Sequence, residues 1–376
     1  MPPKIQIWPE DCVDGMANRL EPESVDCVIS SIPFAALFSY SHKTEDIGNN
    51  KDGDDLMSCQ FSLHYRFFLE QSLRVMKPGA VFCCHIQQLL CTKVKDGYMG
   101  MRDFRGAVIS MSKNHGFIPH GEFVIIKNPR AVARRNNLHS LMFATAARDS
   151  RGLAPAMNDY VLLLKKPGQG GDPVRGIIEA NRDIFLVEPS PILEYYDGLT
   201  NSPGSKKINK RVRPDYKSIP HQIHRYNEDT GEVSIETVIG GENINPDGWY
   251  TKNDWVRWAH GGWTDILEID ILENWRCAKE DAEEKHVCPL QLEVIRRCMK
   301  LYSAPGQTVL DPFIGIGSTA VVAIEQNRNC VGFELKESYA RMSLSNVEKA
   351  LASHNQLSLW NSAADATIFI KSTAGE

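Results

Sequence analysis

Short apolar runs alternate with segments of helical spacing through the first 165 residues of the chain. The apolar runs predict buried strands at Val25–Ser30, Ala80–Ile86, Glu122–Ile126 and Tyr160–Lys165. Helical spacing predicts two helices, Phe61–Met76, ended by the turn residues Lys77-Pro78-Gly79, and Phe104–His115, ended by Gly116. Buried strands joined by helices are typical of a mostly parallel sheet with helices on both faces.

The same alternation returns near the C-terminus. Helices are predicted at Pro289–Tyr302, Ser318–Gln326 and Ser338–Leu351, and strands at Thr308–Leu310 and Cys330–Phe333. The small and polar tail from about Ser353 is expected to be loosely ordered. The predicted fold class is therefore α/β, with a doubly wound, mostly parallel sheet.

A polar region separates the two alternating segments. Residues 167–171 read Pro-Gly-Gln-Gly-Gly and break the first pattern, and residues 172–262 are rich in Pro, Asn and Gly. Four tryptophans lie near the end of this region and are expected to pack in its core, namely Trp249, Trp255, Trp258 and Trp263. The predicted organisation is one domain split into residues 1–171 and 263–352, an inserted region at 172–262, and a tail at 353–376.

Composition narrows the class of protein. Hydrophobic residues make up 42% and charged residues 24% of the 376 residues, which is ordinary globular composition. No apolar stretch approaches the roughly 18 residues that span a bilayer, and the N-terminus has no signal-peptide pattern, so a cytoplasmic protein without a membrane partner is expected. The ten cysteines show no zinc-site spacing, and Cys83-Cys84-His85 would alternate between strand faces, which favours reduced core cysteines and no metal site.

The net charge of −5 argues against a general nucleic-acid binder, but one segment of the chain is strongly basic. Seven Lys or Arg residues stand against one acid, Asp215, between Pro203 and Arg225. Such a cluster predicts contacts with nucleic-acid phosphates through Lys206, Lys207, Lys210, Arg211 and Arg213. A solvated loop is the alternative that the sequence leaves open.

A strand, a glycine turn and the start of a helix occupy Val309–Ala320. Glu334 stands at the end of the next strand, 19 residues after Gly315. Glycines let the backbone approach a ligand, and an acid at the end of the next strand accepts hydrogen bonds from ribose hydroxyls. The segment therefore predicts a binding site for an adenosine-containing cofactor.

This pattern has three possible interpretations: a site for S-adenosylmethionine, a site for NAD, or a glycine turn that binds no ligand. NAD is considered because Gly315-x-Gly317-x-x-Ala320 also fits a dinucleotide site. A dinucleotide domain usually begins with this unit and continues with more strands and helices, whereas one strand and one helix follow here. The strand also ends in Asp-Pro-Phe, and Asp311 suits the ammonium of a methionyl group. These features favour S-adenosylmethionine over NAD.

The segment Ser30-Ser31-Ile32-Pro33-Phe34 follows the strand that ends at Ile29. Together with the glycine segment it resembles the amino-methylating DNA methyltransferases of the permuted beta class, in which the catalytic motif precedes the recognition region and the cofactor motif comes last. The catalytic motif of this class is Ser-Pro-Pro-Phe/Tyr in many cytosine-N4 enzymes and Asp/Asn-Pro-Pro-Tyr in adenine-N6 enzymes. The wider match resembles a phage or prophage subfamily, at residues 11–12, 24–26, 33–41, 46–49, 74–79, 102–106, 263–266 and 285–292.

The resemblance implies a Rossmann-like methyltransferase fold with permuted motif order and a DNA-recognition region at residues 172–262. The Ser31 hydroxyl and the Ile32 carbonyl would accept hydrogen bonds from the target amino group, and Phe34, after Pro33, would stack on the flipped base. The expected contacts with S-adenosylmethionine are Asp11, Pro289, Leu290, Asp311, Pro312, Phe313, Gly315, Gly317, Ser318 and Glu334. Arg130, Arg134 and Arg135 match a family segment beside the catalytic pocket and are further expected DNA contacts.

Two of these cofactor assignments have a purely structural alternative. Asp11 is also placed to cap a helix around Gly15–Leu20, and Pro289 is also placed in the first turn of a helix.

The chain departs from the family at Ile32, which replaces the first Pro of Ser-Pro-Pro-Phe and loses the ring that fixes φ. The leading hypothesis is cytosine-N4 methylation of duplex DNA by a bacterial or phage-encoded enzyme of the restriction-modification type. Adenine-N6 methylation and an inactive DNA-binding protein are the alternatives. The recognition sequence, a homodimer and a partner restriction nuclease are left open.

Overall fold

A computed structural model describes residues 3–34, 45–47, 56–91, 96–130, 132, 142–170, 174–175, 221–226, 233–238, 249–250, 252–272 and 289–359. Contacts divide the chain into two compact units, one made of Met1–Asp172 and His260–Glu376, the other of Pro173–Ala259. The second unit holds most of the region expected to recognise DNA, and that role stays a prediction.

The first unit is built on an eight-stranded sheet with the strand order β1-β12-β11-β2-β3-β7-β6-β10. Its strands are β1 Ile5–Trp8, β2 Val25–Ser31, β3 Met76–Gln87, β6 Ile118–Ile125, β7 Asp159–Lys165, β10 Gly262–Trp263, β11 Thr308–Asp311 and β12 Asn329–Phe333. Among these described strands, β7 alone runs against its neighbours, and all other adjacent pairs are parallel. The predicted mostly parallel, Rossmann-like sheet is confirmed.

Helices cover both faces of this sheet. The helices of the first unit are α1 Cys12–Arg19, α2 Gln60–Val75, α3 Phe104–Asn114, α4 Phe143–Arg148, α6 Leu292–Tyr302, α7 Ser318–Glu325 and α8 Glu337–Leu359. Side chains of α2 and α3 share one buried cluster with Cys84, while side chains of α6 and α7 share the other with Cys83. Consecutive strand residues therefore face opposite cores, as the doubly wound arrangement requires. The eight cysteines among the described residues are buried and unpaired, as expected for reduced core residues.

Helix α2 shows why these segments fold as predicted. Its apolar positions Phe61, Tyr65, Phe68 and Leu69 recur at spacings of three and four, and all four side chains are buried. Burial of each such side chain contributes about 1.5–3 kcal/mol relative to exposure. The helix is thus held by its packed face, since its N-cap residue Cys59 makes no side-chain capping bond.

Several element boundaries differ from the sequence-based expectations. The predicted turn at Lys77-Pro78-Gly79 lies within the beginning of β3, where the Gly79 N–H donates to the Lys166 carbonyl, although Gly79 keeps a left-handed φ of +81. Helix α6 begins at Leu292, so Pro289 lies before the helix and not in its first turn. Helix α8 continues to Leu359, so the tail is helical further than the expected end near Ser353.

Other elements were not predicted. Strand β1 adds a four-residue edge to the sheet by pairing with β12, and β4 Leu89–Cys91 forms a small antiparallel hairpin with β5 Gly100–Arg102. None of the described helices is both long enough and apolar enough to cross a membrane.

The second unit contains an antiparallel hairpin and a short helix. Strands β8 His221–Tyr226 and β9 Val233–Val238 pair with each other, and α5 spans Lys252–Trp258. Trp258 is buried, whereas Trp249 and Trp255 are exposed, so the expectation of core packing is wrong for those two. Trp263 is part of the first unit, where its ring stacks on Phe123 at 4.5 Å between centroids.

Candidate functional site

One cavity lies at the carboxyl ends of the parallel strands of the first unit, the edge at which α/β sheets bind ligands. Strands β1, β2, β11 and β12 all end there. The cavity brings together most of the residues predicted for the site, namely Asp11, Ser31, Pro33, Pro289, Leu290, Asp311, Pro312, Phe313, Gly315, Ser318 and Glu334. Two segments from opposite ends of the chain therefore form one site.

Asp311, the last residue of β11, is the hub of this cavity. Its Oδ1 accepts hydrogen bonds from the Ser30 hydroxyl at 2.6 Å and the Phe313 N–H at 3.1 Å, and its Oδ2 accepts one from the Thr319 hydroxyl at 2.5 Å. Burial raises the pKa of Asp311 to about 6, although these three hydrogen bonds lower it. Asp311 thus ties β2, the glycine turn and helix α7 together while it faces the cavity.

Glu334 follows β12 and closes the opposite side of the glycine turn. Its carboxylate accepts the backbone N–H groups of Gly315 at 3.0 Å and Lys336 at 2.8 Å. Burial raises its pKa to about 7 against the effect of these two donors. The carboxylate predicted to hold a ribose therefore also orders the loop beside it.

Asp11 is a helix cap, as the structural alternative predicts, and its contact with the cofactor stays a prediction. It lines the cavity, and it is the N-cap of α1, where Oδ1 accepts the N–H of Val13 at 2.8 Å and of Asp14 at 3.2 Å. Burial raises its pKa above the ordinary value in spite of these bonds. A helix cap thus holds this carboxylate at the cavity wall.

Gly315 and Gly317 differ in what they contribute. Gly315 lines the cavity with φ +54 and has open space where a Cβ atom would stand, so backbone and ligand can approach closely. Gly317 is the N-cap of α7 with φ +94, and a Cβ atom there would lie 2.5 Å from the Ser343 hydroxyl. Close packing of α7 on α8 therefore explains why a glycine stands at position 317. Gly317 itself does not line the cavity.

Ser318 offers a free polar group to this cavity. Its hydroxyl is buried and makes no hydrogen bond to any residue in the described part of the chain. Buried hydroxyls are normally paired, so this hydroxyl on the cavity wall is available to a polar atom of a ligand.

Ser31 ends β2 opposite His85 of β3 in the sheet register. Its hydroxyl lies 2.9 Å from His85 Nδ1. The other ring nitrogen of His85, Nε2, lies 3.4 Å from Oδ2 of Asp159, the first residue of β7. On the far side of this carboxylate, Lys127 Nζ lies 2.6 Å from Oδ1. The polar row Ser31–His85–Asp159–Lys127 thus runs from the cavity wall into the protein.

The charge state of Asp159 follows from these contacts. Burial alone would raise its pKa, but the nearby His85 ring and the positive charge of Lys127 outweigh burial and hold the pKa of Asp159 below its ordinary value. The buried carboxylate is therefore ionised at neutral pH.

The other motif residues have distinct surroundings. Ile32 is 1% exposed and packs in the core that contains α2, so its side chain is a packing residue. The Phe34 ring lies 6.1 Å from the His85 ring and meets Phe104 edge-on at 6.2 Å, beside the polar row.

The predicted DNA contacts are mostly outside the described residues. This holds for Lys206, Lys207, Lys210, Arg211, Arg213, Arg134 and Arg135. Arg130 is described and its residue is exposed, with its backbone N–H bound to Asn128 Oδ1. Its contact with DNA stays a prediction.

The lining of the cavity suits a cation that also carries hydroxyl or amino donors. Carboxyl groups of Asp11, Glu45, Asp46, Asp311 and Glu334 line it, whereas Lys336 is the cation among its described lining residues. A sulfonium and an ammonium on one ligand, together with ribose hydroxyls, match this set of acceptors.

Some of the polar residues around the site were not predicted. The sequence analysis assigns no role to Ser30, Thr319 or Asp159, and it groups His85 with the core cysteines. Lys127 belongs to the stretch 127–130, which resembles a family segment beside the catalytic pocket. The available signal was the alternation along β2, which points Ser30 and Ser31 to different partners. Asp159 had no local signal, because its contact with His85 depends on the antiparallel pairing of β3 with β7.

The sequence of the chain is similar to a known protein family and to several methyltransferases. The family model described as DNA methylase, of the N6/N4 type, matches residues 25–345. The type II methyltransferase M.BglI of Bacillus subtilis is 31% identical over 121 residues, which cover 32% of this chain and 30% of that protein. The DNA adenine methyltransferase YhdJ of Escherichia coli strain K12 is 35% identical over 74 residues, covering 20% of this chain and 24% of YhdJ. The matched segments span less than a third of the length of either relative.

A solved structure is similar over nearly the whole chain. The DNA modification methylase TTHA0409 from Thermus thermophilus, complexed with S-adenosyl-L-methionine and described as putative in function, aligns with 93% of this chain and 95% of its own at a TM-score of 0.51 and 15% identity. At this identity the likeness establishes a shared fold.

Proposed function

The chain belongs to the N6/N4 DNA methylase family, and on this premise we propose that it methylates an exocyclic amino group of a DNA base. The observation that carries the proposal is a cavity lined by Ser31 from the catalytic motif and by Asp311 and Glu334 from the cofactor motif. Methyl transfer requires the donor and the acceptor nitrogen side by side, so these two motifs must share one pocket.

The cofactor is S-adenosylmethionine, which supplies an electrophilic methyl group on a sulfonium. Asp311 and Glu334 place negative charge at the two sides of the glycine turn, and the buried Ser318 hydroxyl is free to bind a polar group of the methionyl end. Glu334 is placed for the ribose hydroxyls, while Pro289 and Leu290 form part of the apolar wall. These residues bind and orient the donor.

The residues after β2 handle the acceptor. The amino nitrogen of a base is a weak nucleophile because its lone pair is delocalised into the ring. Hydrogen bonds from its two protons to the Ser31 hydroxyl and the Ile32 carbonyl favour a more tetrahedral nitrogen. Phe34 stacks on the base once it has left the duplex. Orientation of the nitrogen is thus the main contribution of this segment.

Cytosine N4 is the proposed target atom, and adenine N6 is the alternative. The choice rests on Ser31 in place of the Asp or Asn of many adenine-N6 motifs. An inactive DNA-binding protein is a less favoured alternative, because the hydrogen bonds of Asp311 keep the Ser31 segment at the cofactor cavity although Ile32 replaces Pro.

The order of the motifs supports the permuted beta class, and the phage or prophage subfamily is proposed from the resemblance alone. The Ser31 segment precedes Pro173–Ala259, and the glycine turn follows it. Duplex DNA is the proposed substrate, with the second unit and the basic cluster at residues 206–213 as recognition elements. A homodimer and a restriction nuclease that cuts the same sequence are proposed partners.

The test uses the full-length protein with methyl-labelled S-adenosylmethionine and unmethylated genomic duplex DNA. After digestion to nucleosides, label in N4-methylcytosine is the expected result. Label in N6-methyladenine would support the alternative base instead. Label in C5-methylcytosine, or no label although cofactor and DNA both bind, would contradict amino methylation by this chain.

A further inference from the structure

We propose that His85, Asp159 and Lys127 orient the Ser31 hydroxyl as a hydrogen-bond acceptor and take the proton that the target amino group releases. The inference rests on the proposed function, because it concerns the group that reacts next to Ser31. His85 acts through Ser31 and is therefore a positioning residue.

The donor and acceptor capacities along the polar row set the direction of its hydrogen bonds. His85 Nε2 lies 3.4 Å from the Asp159 carboxylate without hydrogen-bond geometry; because ionised Asp159 has only acceptors, we assign the ring hydrogen to Nε2. Nδ1 is then an acceptor and takes the single hydroxyl proton of Ser31 across 2.9 Å. Both lone pairs of the Ser31 oxygen are left for a donor, which is what an exocyclic amino group presents.

The same row gives the reaction proton a destination. The nitrogen–methyl bond forms as the methyl–sulfur bond breaks, sulfur keeps the electron pair, and the nitrogen must lose one proton. That proton moves to Ser31 Oγ while the hydroxyl proton of Ser31 moves to His85 Nδ1. The imidazolium faces the Asp159 carboxylate until it releases the proton to water. No further reactant is required.

Lys127 keeps this row ready to accept a proton. A buried carboxylate alone beside His85 would favour the protonated ring, which has no free Nδ1 lone pair. Lys127 Nζ lies 2.6 Å from Asp159 Oδ1 and balances its charge, and the proposal requires a ring with a free Nδ1 lone pair. The charged groups on the ring side of the row are Asp159 from β7 and Lys127 after β6, while Ser31 and the Phe34 ring are its uncharged neighbours.

A purely structural role for the row makes different predictions. If His85 only joined β3 to β7, its tautomer and its protonation would be irrelevant to methyl transfer. The two roles are therefore separated by measurements of where the ring protons are and how the rate depends on pH.

The first measurement is independent of activity. In ¹⁵N spectra of histidine imidazoles, with the His85 signals assigned by their loss in His85→Gln, we expect the tautomer with hydrogen on Nε2. Asp159→Asn should shift the protonation midpoint of His85 to lower pH, and Lys127→Met should shift it to higher pH. The exposed His120→Gln is the control and should leave the His85 signals unchanged. Hydrogen on Nδ1 in the neutral ring would overturn the proposal.

The second measurement is the single-turnover rate of methyl transfer. His85→Gln should lower this rate about 10²-fold, as for loss of a proton acceptor, with the affinity for S-adenosylmethionine unchanged. The double variant Ser31→Ala/His85→Gln should be no slower than Ser31→Ala, because His85 acts through the hydroxyl. The acid limb of the pH–rate profile should move to lower pH in Asp159→Asn and to higher pH in Lys127→Met.

Independent, multiplicative effects of Ser31→Ala and His85→Gln would overturn the proposal, and so would an acid limb that neither charge substitution moves. If the unaltered protein transfers no methyl group at all, the proposed function fails, and the imidazole spectra still decide whether the row orients Ser31. Near-ultraviolet circular dichroism of each variant identifies any that fail to fold, and Asp159→Asn and Lys127→Met then carry the test.

Discussion

The Ser30 hydroxyl donates a 2.6 Å hydrogen bond to Oδ1 of Asp311, 281 positions away in the chain. Because Ser30 and Ser31 are consecutive on β2, and β2 lies beside β11 in the sheet, this bond holds the catalytic segment at the glycine turn. The motif that is to bind the base and the motif that is to bind the cofactor are thereby parts of one hydrogen-bonded structure.

Loss of this bond should weaken the whole domain. Ser30→Ala leaves one of the buried acceptor positions of Asp311 unsatisfied, so the free energy of unfolding should fall by about 1.5–3 kcal/mol. Urea denaturation at about pH 8, where Asp311 is ionised, measures this change. The control Ser24→Ala removes an exposed hydrogen bond to the Glu21 carbonyl and should cost far less. Equal effects of the two substitutions would show that the Ser30–Asp311 bond contributes nothing specific.

Glu334 should be needed for the cofactor more than for folding. Glu334→Gln removes the negative charge and turns one acceptor into a donor that faces a backbone N–H, so affinity for S-adenosylmethionine should fall about 10²-fold. Isothermal titration calorimetry measures the affinity. Glu337→Gln, an exposed position on α8, is the matched control and should bind normally. Unchanged affinity in Glu334→Gln would remove this residue from the site.

Cofactor affinity should depend on pH through the same carboxyl groups. The pKa of Asp311 is raised to about 6 and that of Glu334 to about 7, so both gain protons as the pH falls below 7. A cationic ligand favours the ionised forms, and binding must then expel these protons. Affinity should fall at least about tenfold between pH 8 and pH 5.5. Calorimetry over this range tests the sign, and affinity that rises or stays constant on acidification would contradict it.

Gly317 should be required for packing of α7. Gly317→Ala combines a left-handed backbone with a Cβ atom 2.5 Å from the Ser343 hydroxyl. Gly306 also has a positive φ, +81, but has nothing within 4 Å of a Cβ atom. Gly306→Ala should therefore cost about 1–2 kcal/mol for the backbone alone, and Gly317→Ala should cost clearly more. Thermal unfolding of both variants measures the difference, and equal losses would show that contact with Ser343 does not matter.

Much of the fold was predictable because its signals are local. The apolar runs of β2, β3 and β7 and the spacing of α2 appear in single windows of the sequence. The glycine turn was predictable for the same reason, since Asp311, Gly315 and Glu334 lie within one strand–turn–helix–strand unit. The end of α8 was not, because nothing in the polar residues after Ser353 marks where a helix must stop.

The remainder of the site depends on which strands become neighbours. The contact between Ser31 and His85 follows from the register of two parallel strands, and the contact between His85 and Asp159 from the reversed strand β7. Sequence windows carry no information about such pairing. The close approach of Gly317 to Ser343 likewise depends on how α8 packs, and its contact with the cofactor stays a prediction.

Amino methylation by this chain depends most directly on Ser31 acting at the cofactor cavity. The decisive measurement compares Ser31→Ala with the unaltered protein in single-turnover transfer of labelled methyl to duplex DNA, alongside calorimetry of S-adenosylmethionine binding. We predict an intact binding isotherm with a rate lowered at least about 10²-fold. A Ser31→Ala variant that binds the cofactor and methylates DNA at the original rate would contradict the catalytic role of Ser31.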